Sequence, residues 1–434
     1  MEEKIIQLVK GKAEGFEVIS DERITTQLEF RGDEPYSLET KQTLGLGLRV
    51  IKDGRIGFAA TTDLSKIPEL VESALAIAEQ GERALFSFPR DLPQTKCKLL
   101  NEKVASLTSE KIFSLGSDLI AYAKEKFPLF KIDLNLEHTY EKRRIINSTG
   151  LDITYEKLNY HLVFTGLIVK EDGLIWIYDY KNLSDGKPFS IPEFVHHQVA
   201  KASDALKEVK LTTGNYPLIF APSFGLKEFF IPLLVGTNGK NLQKGITPLQ
   251  KLVGQEIGSR LLSVYDDGLL DYAAGSSPFD GEGVAKQETP LIEKGVFKNF
   301  LFDLQTAAAC GKKSTGNGSR AYNSQPQPSF NNLLVLPQSG TLNGAIAEIK
   351  EGVLVYEVIG GGQSNVLAGD FSLSIGLGFK IEGGEIIGRI KDCMLAGNFY
   401  EMIKKISQIG EEGKDLGNFH LPFIKFEEVK VSAK

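Results

Sequence analysis

KIDLNLEHTYEKRRIINSTGLDITYEKLNYHLVFTGLIVKEDGLIWIYDY, residues 131–180, is the stretch that decides the fold. Apolar and polar residues alternate along it with a period of two, as in half-buried strands. The spacing predicts five strands, at Lys131–His138, Glu141–Asn147, Leu151–Tyr155, His161–Lys170 and Leu174–Tyr180. Ser148-Thr149-Gly150 and Glu171-Asp172-Gly173 have the composition of turns between them. Extended runs joined by such short connections form an antiparallel meander.

Toward the N-terminus the period lengthens. Ser109–Phe127 carries Ile112, Leu115, Leu119 and Ala123 on one helical stripe. Before it lies a Pro-containing stretch, Phe88–Pro93, and before that a helix opened by Pro68, with Leu70, Ala74, Ile77 and Ala78 repeating at helical spacing and Gly81 near its end. Thr43–Val50 and Arg55–Thr61 flank Asp53-Gly54 and read as a β-hairpin. Glu17–Phe30 is a further extended run, closed by the turn Arg31-Gly32-Asp33-Glu34-Pro35.

Beyond the meander a helix is expected over Pro192–Val209, then a boundary at Thr212-Thr213-Gly214-Asn215. Tyr216–Ala221 reads as a strand and Phe224–Val235 as a helix. The remainder is Gly-rich, with short strands at Asn332–Leu336, Gly352–Ile359, Phe371–Ile381 and Gly384–Arg389, and one helix at Asn398–Gln408. Hairpins dominate and regular β-α-β alternation is missing, so the class is α+β. The expected division is an N-terminal α+β subdomain (1–100), a helix-plus-meander subdomain (101–211) and a β-rich C-terminal domain (212–434).

Composition narrows the function. The 434 residues hold 50 basic and 56 acidic side chains, a formal net charge of −6. No basic surplus exists to drive nucleic-acid binding. No apolar run approaches the roughly 18 residues needed to span a bilayer. The charged start MEEKIIQLVKGKAEG has no apolar core of a secretory signal. Cys97, Cys310 and Cys393 are scattered, which suits a reducing cytoplasm and excludes a disulfide framework.

Each candidate for chemistry has a plainer reading. Gly45-Leu46-Gly47 imitates part of a dinucleotide fingerprint, but no helix follows it, and close strand packing explains it better. Gly360-Gly361-Gly362 lacks the Lys-Ser/Thr of a phosphate loop and reads as a turn. His196 and His197 point about 100° apart on a helix and cannot converge on one ion. His138, His161 and His420 have no carboxylate or cysteine at ligand spacing. Cys310 follows three alanines and reads as an inert thiol. Asp266, Asp267, Asp280 and Glu282 sit among Gly and Pro, where carboxylates cap backbone N–H groups.

Six segments in order carry a resemblance: LGLRVIKDGRIGFAATTDL (46–64), GSSPFDGEGVAKQETPLIEKGVFKNFLFDLQTA (275–307), STGNGSRA (314–321), NNLLVLPQSGT (331–341), AGDFSLSIGLGFKIEGGEI (368–386) and LAGNFYEMIKKISQIG (395–410). Together they resemble the PmbA/TldD family, also labelled modulators of DNA gyrase. The resemblance implies two related subunit types, a zinc metalloprotease with a HExxxH motif and a partner without it. The pair is expected to process small or unfolded peptides.

The corresponding stretch here is PSFGLKEFFIPLLVGTNGK (222–240). Pro232 stands at the first His, Leu233 at the Glu and Thr237 at the second His. A metalloprotease needs imidazole ligands and a carboxylate to activate the zinc-bound water. No HExxxH, HExxH or HxxEH occurs in the chain, and the C-terminal stretch GEEGKDLGNFHLPFIKF lacks the family's further cysteine ligand. The chain therefore resembles the PmbA/TldE type, with no catalytic residue, metal ligand or cofactor of its own and zinc expected in the partner.

Gly316, Asn317, Gly318, Arg320, Asn332, Gly369, Asp370, Ser372, Gly397 and Asn398 are the remaining motif residues, expected to serve architecture or peptide contact. The expected partners are a HExxxH-bearing TldD-type subunit, or a second copy, and a peptide, with no nucleic acid or membrane. Two other readings are a homodimeric adaptor without enzymatic activity, and a metal-independent hydrolase using Ser, Cys or an acidic pair in the Gly-rich loops.

Overall fold

The computed structural model describes residues 1–171, 173–361 and 364–433. It begins with α1 (Glu2–Val9), the long strands β1 (Gly15–Arg31) and β2 (Glu34–Lys52), β3 (Arg55–Thr61) and α2 (Ile67–Ala78). Then follow the short α3 (Glu102–Ala105), α4 (Ser109–Lys126), β4 (Lys131–Asn147), β5 (Asp152–Lys170), β6 (Gly173–Asn182) and α5 (Ile191–Leu206). The six strands form one antiparallel sheet in the order β3-β2-β1-β4-β5-β6. The chain is thus α+β.

The meander has three strands where the spacing predicts five. His138–Glu141 stays in register with β1 on one side and β5 on the other, so no break occurs at Thr139-Tyr140 or at 156–160. The period of two is unbroken there, but its inward positions are charged. Asp172 lies outside the described residues.

Alternation gives the sheet two unlike faces. Val18, Leu46, Leu48 and Val50 lie under α1 and α2, while Leu28, Phe30, Leu134, Leu136, Leu162 and Phe164 join a core with α4 and α5. On the opposite face Ile19 and Ile145 meet Phe279 and Tyr322 of the C-terminal region, amid the buried charges Glu17, Asp21, Arg49, Glu141 and Lys157. A sheet with two buried faces must find partners for such charges in the opposing surface.

That surface belongs to residues from 214 onward. β7 (Gly214–Phe220) pairs with Glu351–Ile359 in parallel and with Ile424–Ala433 antiparallel. Cys393–Asn398 and Asp370–Glu382 continue the sheet, and Asp370–Glu382 pairs back onto Glu351–Ile359, closing it into a barrel. A second sheet of short strands holds Val264–Asp267 between Glu288–Glu293 and Leu333–Val335. The expected helix at Asn398–Gln408 is shorter than its spacing predicts. Phe399–Met402 is helical, a 3-10 turn follows, and Ile406–Ile409 is a strand pairing with Ile424 and Phe426. Ile403, Ile406 and Ile409 all enter the barrel core, so tertiary pairing overrides the helical reading. α5 also stops earlier than expected, at Leu206.

α6 (Phe224–Gly236) runs along this barrel with Leu226, Phe229, Phe230 and Leu233 fully buried. Phe229 meets Phe220, Phe371, Phe399 and Phe426 at ring-centroid distances of 5.5, 5.9, 5.0 and 5.4 Å. Aromatic contacts of this kind add to the burial term and fix the helix in one orientation.

Candidate functional site

The C-terminal end of α6 holds Pro232, Leu233 and Thr237, the three positions expected from the resemblance to correspond to the zinc motif. Pro232 has no N–H to donate, and its carbonyl accepts from the Tyr400 hydroxyl at 3.3 Å. Leu233 is fully buried in the aromatic core. Thr237 is fully buried too, and its hydroxyl donates to the Leu233 carbonyl at 2.8 Å. The same carbonyl accepts from Thr237 N at 2.8 Å, so the hydroxyl adds a second bond at the helix terminus. A ring, an alkyl chain and a committed hydroxyl are no donor set for zinc, and the residues present do not fit the ion. Among the described residues no cluster of His, Cys, Asp or Glu is arranged to hold a metal.

Beside this helix end lie five of the motif residues. Gly369 has φ +90°, and a Cβ there would meet the Tyr400 ring at 2.6 Å, so glycine alone fits. Asn398 caps the next helix by accepting from Tyr400 N at 3.0 Å. Its amide donates to Ala368 O and Asp370 Oδ1, both at 2.9 Å. Asp370 and Ser372 lie on the exposed side of the paired strands, opposite Asn398 and Ala396, whereas Gly397 stands opposite Phe371, on the side where a Cβ would meet the Phe371 ring at 3.2 Å.

The other five form a second centre, where the charged face of the N-terminal sheet meets the loops 273–286 and 314–332. Arg320 donates to Glu17 at 2.5 Å and to the Gly281 carbonyl at 2.6 Å. Arg49 from β2 bridges Glu17 at 3.0 Å and Glu282 at 2.7 Å. Asn317 donates to Asp266 at 2.6 Å and to the Ser329 carbonyl at 2.9 Å. Asn332 donates to the Asp267 carbonyl at 2.6 Å and accepts from Gly275 N at 2.8 Å. Gly316 (φ +73°) and Gly318 lie so close to Ala285 and Glu282 that a Cβ would collide with either. These residues tie the sheet to the loops, although Arg320 Nη1, Arg49 Nε and Glu17 Oε2 are buried there without a hydrogen-bond partner among the described residues.

The carboxylates read from the sequence as caps have that role. Asp280 accepts from the backbone N–H groups of Glu282, Val284 and Gly318 at 2.8, 3.0 and 2.8 Å. Asp266 accepts from Asn331 N at 2.5 Å. Asp267 accepts from Leu269 N at 2.8 Å, and Glu282 from Leu304 N at 2.7 Å. Burial outweighs these bonds and pushes Asp266 and Asp280 up to about 6. Burial likewise pushes Glu282 up to about 7, against the pull of Arg49.

A polar cavity of about 360 Å³ opens between β4, β5 and these loops. Spacing gave no sign of its cationic members, Arg23, Arg143, Lys157 and Lys286. Burial pushes Lys157 down to about 7 and Lys286 down to about 8. Glu141 falls to about 2, because Arg143 and Arg23 overcome the cost of its burial. The available signal was a pair of charges, Glu141 and Arg143, between Thr139 and Ile145 on one face of β4.

The remaining candidates fall outside both centres. Gly45 and Gly47 lie in β2 directly against Tyr322, the close packing expected of them. Gly360 and Gly361 follow a strand end, while Gly362 lies outside the described residues. His196 and His197 are exposed on α5. His138 meets the Val104 carbonyl at 3.1 Å, and His161 stacks on Tyr180. His420 departs from expectation: its Nδ1 pairs with Asp415, which the short strands bring opposite it. Burial pushes the thiols of Cys97, Cys310 and Cys393 up, away from thiolate. No helix among the described residues is long and apolar enough to cross a membrane.

Comparison with known proteins gives a consistent family. The model of the PmbA/TldA metallopeptidase C-terminal domain matches residues 213–433, and that of PmbA/TldA metallopeptidase domain 1 matches residues 16–78. An uncharacterized protein of Methanocaldococcus jannaschii is 30% identical over 95% of this chain and 96% of its own length. The metalloprotease TldD homolog of Haemophilus influenzae is 25% identical over 86% of this chain and 80% of its own. The crystal structure of TldE from Thermococcus kodakarensis superposes with a TM-score of 0.91 at 26% identity, covering all of both chains.

Proposed function

The chain belongs to the PmbA/TldD family, and we propose that it is the non-zinc subunit of a two-chain metalloprotease. The observation that carries this reading is the end of α6. Pro232, Leu233 and Thr237 turn the metal-binding positions into helix packing and capping. The likeness to TldE over the whole chain supports it. The partner would carry HExxxH, bind zinc and hydrolyse the peptide bond. This chain would complete the chamber and present its exposed strand face, with Asp370 and Ser372, to the peptide or to the partner. Backbone groups of such a face suit extended peptides of varied sequence.

A tagged pull-down from the native cell tests the reading, with the captured chain identified by mass. A related HExxxH chain recovered near one-to-one supports it, and zinc content and peptidase activity of the pair then follow. Recovery of the bait alone as a homodimer overturns it and favours an adaptor.

A further inference from the structure

The cavity between β4, β5 and the C-terminal loops holds polar groups that the fold leaves uncommitted. Lys157 donates to the carbonyls of Ala273, Ala274 and Ser276 at 3.1, 2.6 and 2.9 Å, which uses all three of its N–H groups. Lys286 donates to the Gly275 carbonyl at 2.7 Å and keeps two N–H groups free. Among the described residues neither ammonium has a carboxylate within ion-pair distance. The nearby acids are engaged elsewhere: Glu141 by Arg23 and Tyr155, Asp280 by three backbone N–H groups. Three further wall residues, Asn159, Ser319 and Asn418, make no side-chain hydrogen bond within the described residues.

We propose that this cavity binds a small monoanionic carboxylate, of amino-acid or hydroxy-acid size, anchored on Lys286 and completed by Asn159, Ser319 and Asn418. The volume of about 360 Å³ lies at the small end of ligand pockets. A carboxylate would place counter-charge beside the two ammoniums, Lys157 from β5 and Lys286 from the loop, that converge on the carbonyls of 273–276, and charge-assisted hydrogen bonds are the strong ones. Burial lowers both Lys157 and Lys286, a cost that a bound anion would offset. A dianion is disfavoured, because Asp266 and Asp280 already act on Lys286. The site is separate from the α6 terminus and does not depend on the subunit pairing proposed above.

Saturation-transfer NMR on the full chain tests this with L-lactate, its neutral amide lactamide, and inorganic phosphate. Lactate is expected to bind saturably, and lactamide about tenfold more weakly or worse. Lys286→Gln, which keeps stem and donors but removes the charge, is expected to lose lactate by a similar factor. Asn159→Leu, which narrows the cavity and leaves Lys286 in place, is expected to weaken lactate as well, with circular dichroism confirming the fold of each variant. Equal binding of lactate and lactamide overturns the proposal, as does lactate binding indifferent to both variants. No lactate binding at millimolar concentration also overturns it, and tighter binding of phosphate overturns the monoanion assignment.

Discussion

Lys157→Met is the substitution whose effect can be worked furthest from the structure. Burial pushes the Lys157 ammonium from 10.5 down to about 7, and the neighbouring Lys286 adds repulsion. Between those two values the unfolded chain holds a proton that the folded chain has released. Stability therefore rises with pH across that window, and the deficit is complete below it. The separation corresponds to about 5 kcal/mol against folding on the acid side. From about pH 7 to about pH 9 the folded state regains about 2 kcal/mol of this. Lys286, pushed from 10.5 down to about 8, regains about 1 kcal/mol over the same interval. Methionine fills the volume of the lysine stem and does not titrate. Urea unfolding followed by far-ultraviolet circular dichroism, at several pH values, compares the two proteins. The variant should lose about two-thirds of the lysine-driven rise. Its absolute stability carries a separate, pH-independent offset from the carbonyls of Ala273, Ala274 and Ser276 losing their donor. Every other titrating group is common to both proteins, so the difference in slope isolates Lys157. Parallel profiles would refute the reasoning, since they would mean that Lys157 titrates alike in the folded and unfolded chain.

Arg49→Met leaves Glu17 and Glu282 without a shared cation and should cost about 3–5 kcal/mol, read from denaturant midpoints. Gly47→Val drives a Cβ to 2.2 Å from the Tyr322 carbonyl; a loss of about 1–3 kcal/mol and faster proteolysis within 314–330 are expected. Asn398→Ala removes the cap on Tyr400 N and the ties to Ala368 and Asp370, and should lower stability by about 1–2 kcal/mol in thermal unfolding. Thr237→His should bring no stoichiometric zinc in equilibrium dialysis, because Pro232 and Leu233 offer no companion ligand.

The elements that announced themselves in the sequence did so through clean periodicity. The α2 and α4 stripes, the Asp53-Gly54 hairpin and the β7–α6 unit each bury one regular apolar face. β4 and β5 did not, because their inward positions near Glu141, Arg143 and Lys157 face another charged surface. A buried charge in a strand looks like a strand end until the opposing loop is known. Ile406–Ile409 misled for the complementary reason: its pairing with Ile424 and Phe426 lies in residues later in the chain. The candidate site divides in the same way. The motif glycines and asparagines were legible as residues that permit turns and satisfy backbone groups. Lys157 and Lys286 were not, since a lone lysine in a polar run has no spacing to betray it. Only the meeting of β5 with the loop 273–276 gives these lysines their chemistry.

The two centres place opposite demands on the same fold. At the α6 terminus packing dominates: an aromatic core, a capped helix end and a glycine under a tyrosine ring. Such a helix is held by apolar contacts and keeps its place without any ion. At the sheet face, charges are retained at depth, and Glu17, Arg49, Glu282 and Arg320 tie the N-terminal sheet to the C-terminal loops. Buried ion pairs add little net stability, yet mismatching them costs several kcal/mol. Their effect is to disfavour every docking of sheet on loops except the one observed. A subunit that supplies walls to a shared chamber, with no ligand of its own, depends on that fixed relation between its halves. On the subunit reading proposed above, the geometry of assembly would preserve the frame around α6, while the polar cavity beside the ion network would remain available for the proposed anion.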